Sequence, residues 1–85
     1  VARFEYDFQK SNTNKKRHGI DFIEAQKLWE VTHVIVPAKN VVGESRYAIL
    51  GTIDGKLCIA IITQRGESIR IISCHGADKK WGENL

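Results

Sequence analysis

The sequence predicts an α+β domain: an antiparallel β-sheet with two N-terminal helices packed on it, in the order β-α-α-β-β-β-β. Three observations carry that expectation. The second half of the chain alternates β-branched runs with Gly-containing turns, Asp54-Gly55 and Arg65-Gly66. Phe22, Ala25, Leu28 and Trp29 recur at three- and four-residue steps, a stripe suited to lying on a sheet. Ile59 to Ile62 has no polar alternation, as befits a central strand covered on both faces.

The elements follow in order. Arg3-Phe4-Glu5-Tyr6-Asp7 alternates as a short edge strand, open to pairing with a partner or a second copy. Asp7 can N-cap a helix from Phe8 to about Arg17, which Gly19 ends in the left-handed conformation. This helix is polar on nearly every side, so its bases are free to meet something negative. A second helix starts at Asp21, where Glu24 three residues on has the spacing of a reciprocal cap, and runs to about Val31. Strands are expected at His33–Pro37, Ser45–Ile53, Lys56–Thr63 and Ser68–Cys74, with a weak helical start in the tail, Ala77–Leu85.

Eighty-five residues, 42% hydrophobic and 27% charged, make one soluble globular domain spanning residues 1–85. The longest apolar run, Leu57 to Ile62, is far too short for a bilayer, and no leader pattern opens the chain. No membrane is expected. Cys58 and Cys74 lie in β-branched stretches without metal-ligand spacing and read as reduced packing residues of a cytosolic protein. These features exclude a membrane-spanning chain, a disulfide scaffold and a zinc ribbon.

The net charge of +3 is uneven: +3 over residues 1–19, −2 over residues 20–45 and +2 over residues 46–85. An acidic middle between basic ends permits one face for a polyanion and another for a protein partner, though a solvated surface has the same composition. No phosphate-cradling Gly loop is present, and His18, His33 and His75 are far apart in sequence, so neither metal nor cofactor is expected. Arg17 follows Lys15 and Lys16, a cluster suited to a polyanion, while His18 equally fits a cation favoured at a helix C-terminus by about 0.3–1 kcal/mol.

Arg70 interrupts the apolar run Ile69-Arg70-Ile71-Ile72, and Arg46 opens a similar run. Two arginines on neighbouring strands would converge on one sheet face and grip a phosphate in bidentate fashion. The alternative is pairing with a local acid such as Glu44 or Glu67. His75, past the strand end, has the side chain best suited to trading a proton near neutral pH. Regular alternation would put it on the face opposite Arg70, unless the chain bends or bulges after Ser73. Tyr47 and Trp81 are candidates for stacking on bases, or for packing at the core rim.

The same residues form a longer pattern. Phe4-Glu5-Tyr6-Asp7, Lys10, Asn14, Arg17-His18-Gly19-Ile20, Phe22 and Glu24-Ala25 resemble the opening of the BrnT family. Arg46-Tyr47, Ile49, Gly51 and Gly55-Lys56 resemble its middle, and Thr63, Arg65-Gly66 and Arg70-Ile71-Ile72-Ser73 its close. The resemblance implies a metal-free bacterial ribonuclease toxin of RelE-like fold. It would act in the cytoplasm and be neutralised by a BrnA-like ribbon-helix-helix antitoxin, as a dimer or as a heterotetramer with it, with DNA reached only through that antitoxin as the pair represses its operon. RNA would be cut by helping the 2′-hydroxyl attack the adjacent phosphate.

On that resemblance Arg46 and Arg70 would stabilise the scissile phosphate, Arg17 would position the backbone and His75 would carry a proton. Lys56, Arg65, Lys79 and Lys80 would add salt-sensitive RNA affinity. The chain departs from the family at four points, one being the tail Ala77–Leu85, where the family helix is usually longer and richer in acids. Arg17 replaces a Lys, Phe8 replaces a helix-opening Pro, and Cys74-His75 stands where a small or aromatic residue and an Arg are usual. The last change either supplies a general acid–base or removes a phosphate contact. The rival expectation is a catalytically weak or inactive module that only binds antitoxin or RNA.

Overall fold

A computed structural model describes residues 3–38 and 43–77. Its strands are β1 (Arg3–Glu5), β2 (His33–Pro37), β3 (Arg46–Ile53), β4 (Lys56–Arg65) and β5 (Ser68–Gly76), in the spatial order β1-β5-β4-β3-β2. Helices α1 (Phe8–His18) and α2 (Phe22–Ala25) lie between β1 and β2, and a 3-10 turn over Gln26–Glu30 continues α2. Among the described residues no helix is long and apolar enough to cross a membrane. The tail beyond Ala77, with Lys79, Lys80 and Trp81, lies outside the described residues.

Contrary to the antiparallel expectation, the sheet is mixed. β2, β3, β4 and β5 form an antiparallel meander, but β1 runs parallel to β5, with Phe4 opposite Ile69 and Glu5 opposite Arg70. Hairpin turns announce antiparallel neighbours, whereas a pairing between the first and last strands has no local turn to set its direction. Asp54 and Gly55, at φ +50° and +82°, form the first hairpin turn. The second is Gly66-Glu67, one residue later than Arg65-Gly66, because β4 runs on to Arg65.

Asp21 and Glu24 do make the reciprocal cap. Asp21 Oδ1 accepts from the Ile23 and Glu24 N–H groups, and Glu24 Oε1 accepts from the Asp21 N–H. The second helix nevertheless stays α-helical for only four residues, where the sequence suggested about ten. The three-residue steps from Phe22 to Ala25 to Leu28 match the 3.0-residue turn of a 3-10 helix, which keeps all three on the buried side. Leu28 then presses on β3 at Gly51, where a Cβ would lie only 2.9 Å from Leu28 Cδ2.

The main core lies between the helices and one sheet face and includes Phe22, Ala25, Leu28, Ile49, Ala60, Ile71 and Cys74. On the other face Ala48, Leu50 and Ile59 form a second cluster with Val36, Ala38, Ile61 and Ala77. β4 is the middle strand, and apolar clusters flank its Ile59–Ile62 segment on both sides.

Helix α1 is anchored by polar groups rather than an apolar stripe: its buried residues are Ser11 and Asn14. Ser11 Oγ accepts from the Phe22 N–H at 2.9 Å. Asn14 Nδ2 donates to the carbonyls of Ile20 (2.7 Å) and Cys74 (2.6 Å), and Asn14 Oδ1 accepts from the Cys74 N–H at 3.3 Å. The side-chain amide thus pairs with Cys74 as a neighbouring strand's peptide group would, beyond the point where β1 ends. This seats α1 along the edge of β5.

Candidate functional site

β5 positions most of the candidate side chains through one irregularity. Ile62 pairs with Ile71 and Ile61 with Ser73, so Ile72 is an extra, bulged residue. The bulge precedes Ser73 rather than following it, and it reverses the alternation downstream. Arg70, Ser73 and His75 stand opposite Thr63, Ile61 and Ile59, alternate residues of an unbulged strand, and therefore share a face. His75 is not placed at Arg70, however. Their partners, Thr63 and Ile59, lie four positions apart on β4, about 13 Å along the sheet.

Arg46 and Arg70 do share a face, but not on adjacent strands: Thr63 of β4 lies between them, opposite both. The buried Thr63 hydroxyl donates to the Ser45 carbonyl at 2.8 Å and so ties the base of this row to the start of β3. Both arginines line a cleft of about 190 Å³ together with Asp7 and Lys10 from the start of α1 and Glu44. Each already meets a carboxylate. Arg46 Nε donates to Glu44 Oε2 at 3.0 Å, one of the two local acids expected. Arg70 Nη1 lies 3.6 Å from Glu5 Oε1, not from Glu67, and Arg65 Nη1 lies 3.6 Å from the same oxygen. A guanidinium has five N–H donors, so these single contacts leave each Arg able to take a second acceptor.

A second cleft, about 250 Å³, adjoins the first, since Lys10 and Ile72 line both. It runs along α1 past Thr13 to Arg17 and His18. The His18 ring lies 5.6 Å from the His75 ring, centroid to centroid, and the planes are tilted by 48°. His75 Nδ1 is 2.9 Å from the Gly76 carbonyl oxygen. His18 also lines a third cleft of about 210 Å³ with Glu24, Asp54 and Lys56. Arg65, which reaches the Arg70 group through Glu5, lines a shallow depression of about 560 Å³ with Tyr47 at the β4–β5 turn.

The electrostatics set the remaining polar groups aside. Lys15 donates to Glu24, which holds the Glu24 carboxyl below the usual carboxylate range and the Lys15 ammonium above its ordinary value. Burial pushes both thiols up, Cys74 to about 12 with the Cys58 thiol adding to the effect, so neither is a nucleophile. What remains is a line of cations and two imidazoles, suited to gripping a phosphodiester and moving protons beside it.

The sequence singled out Arg17, Arg46, Arg70 and His75 as candidates; it did not indicate that Glu5 and Lys10 stand beside the arginines or that His18 lies near His75. Lys10 was legible as the third residue after the Asp7 cap. The Glu5 pairing and the histidine pair depend on contacts across most of the chain's length. A family model described as "Ribonuclease toxin, BrnT, of type II toxin-antitoxin system" matches residues 6–80. No curated protein matches the chain.

Proposed function

The chain belongs to the BrnT family of ribonuclease toxins of type II toxin–antitoxin systems, and from that premise we propose that it cleaves RNA internally without a metal. The family implies an antitoxin partner; we take it to be a BrnA-like ribbon-helix-helix protein that covers the basic clefts and co-represses the operon with the toxin. The site of action is the cytoplasm.

The observation that carries the reading is the placement of Arg46, Arg70 and Lys10 around one cleft that adjoins a second lined by Arg17. Cations so arranged hold consecutive phosphates of an extended single strand and stabilise charge developing on a phosphorane. His75 is the proton carrier, and its Arg-to-His departure from the family pattern puts an acid–base group where a fixed cation would otherwise stand. Lys56, in a cleft with His18, and Arg65, beside the exposed Tyr47, add sequence-independent affinity.

A second reading, binding without cleavage, draws on the ion pairs of Arg46 with Glu44 and Arg70 with Glu5, which a substrate phosphate must displace or share. The deciding experiment incubates the protein with a long unstructured RNA in EDTA beside an Arg70→Ala control. Cleavage that survives EDTA and falls at least tenfold in the variant is expected. Intact RNA from folded wild-type protein sinks the nuclease reading in favour of binding alone.

A further inference from the structure

We propose that His18 is a catalytic residue and forms a general acid–base pair with His75, so that the scissile phosphate sits at the two imidazoles while the Arg46–Arg70 cleft holds a neighbouring phosphate. This rests on the nuclease reading above and deepens it. The two rings come from chain positions 57 residues apart and meet only because Asn14 seats α1 on the edge of β5. A proton carrier works within a hydrogen bond of about 3 Å, so two carriers acting on one group stand about 6 Å apart. The 5.6 Å between centroids fits that span.

The roles follow from the surroundings of each ring. A carbonyl oxygen only accepts, so a hydrogen on His75 Nδ1 is the one directed at Gly76, which in the neutral ring leaves Nε2 with the lone pair. His75 is therefore the base. His18 stands in the last turn of α1, where the helix carbonyls favour a cation, and is the acid. Arg17, in the same cleft, supplies fixed positive charge for the phosphorane oxygens. Among the described residues, the other charged groups lining clefts with His18 are Lys10, Glu24, which is engaged by Lys15, and Asp54 and Lys56 from the β3–β4 hairpin.

In the reaction His75 Nε2 takes the proton of a ribose 2′-hydroxyl as that oxygen attacks the adjacent phosphorus. The O2′–P bond forms and the P–O5′ bond breaks, and His18 gives its proton to the departing 5′-oxygen. One strand ends in a 2′,3′-cyclic phosphate and the other in a 5′-hydroxyl. One proton is taken and one given, and exchange with water returns both rings to their starting forms.

The test compares His18→Ala and His75→Ala with wild type on two RNAs. One is unmodified; the other carries a 5′-bridging sulfur at the linkage mapped as the cut site, whose thiolate leaves without needing a proton. His18→Ala is expected to slow cleavage of the unmodified RNA by about 10²-fold or more, yet to cut the sulfur-substituted RNA within threefold of wild type. His75→Ala should be slow on both. The wild-type kcat/KM profile should rise and then fall with pH on unmodified RNA and lose its falling limb on the sulfur substrate. His18→Ala cutting unmodified RNA near the wild-type rate overturns this inference and leaves the nuclease reading intact. So do equal losses on both substrates, as a merely structural role for His18 would give. Folded wild-type protein inert on both RNAs overturns the two together.

Discussion

Cys74 is an acid mainly of the unfolded chain. Its thiol has no exposure to solvent, and burial holds it at about 12, against 9.0 for a free thiol. Between those values the unfolded chain has released the proton and the folded chain has not, so stability present below pH 9 is lost as pH rises. The loss is about 1.4 kcal/mol per pH unit in that window. The stability gap between wild type and Cys74→Ala, read by urea unfolding, should therefore shrink by about 2 kcal/mol from pH 8 to 10.5; a constant gap refutes it. Candidate residues were legible wherever a side chain stood out against its run, as Arg70 does among isoleucines. Partners were not. Glu5 meets Arg70 only through the parallel pairing of the first and last strands, and His18 meets His75 only across α1 and the β5 edge.

The elements were legible where local chemistry decides them. Asp7, Gly19 and the Asp21–Glu24 box fix the helix starts and stops, and Asp54-Gly55 fixes a hairpin. The switch from α to 3-10 geometry after Ala25 and the bulge at Ile72 were not, because tertiary packing sets both. Contact between the 3-10 turn and β3 gives a paired test on glycine. At Gly51 an added Cβ would sit 2.9 Å from Leu28 Cδ2 and 3.3 Å from the Thr32 carbonyl oxygen, in a fully packed spot. Gly51→Ala should cost about 1–3 kcal/mol. At Gly76 the nearest atom is 4.0 Å away, so Gly76→Ala should be neutral or slightly stabilising. Equal effects at the two sites in thermal unfolding would contradict the packing of Leu28 on β3.

At the scale of the whole molecule, charge and topology divide the labour. The sequence showed a basic excess at both ends of the chain, and the fold brings those ends together, since β1 lies on β5 and α1 along its edge. Binding of a non-cleavable 2′-O-methyl RNA should therefore weaken steeply with salt. Contacts from Lys10, Arg17, Arg46 and Arg70 imply a slope of log K on log salt of about −3, at about −0.7 per single-strand phosphate, and Lys56 and Arg65 would steepen it toward about −4. Arg70→Ala should reduce that slope by about 0.7 in a fluorescence-anisotropy titration, and an unchanged slope would remove Arg70 from the RNA path. The Asn14 amide has one further effect. By occupying the peptide groups of Cys74 it seals a stretch of sheet margin that would otherwise template another chain. Among the described residues the edge strand on that side is the three-residue β1, while the opposite edge strand, β2, has five residues ending in Pro37. Margins this short, one of them closed by a residue without an N–H, offer an incoming strand few backbone groups to pair with.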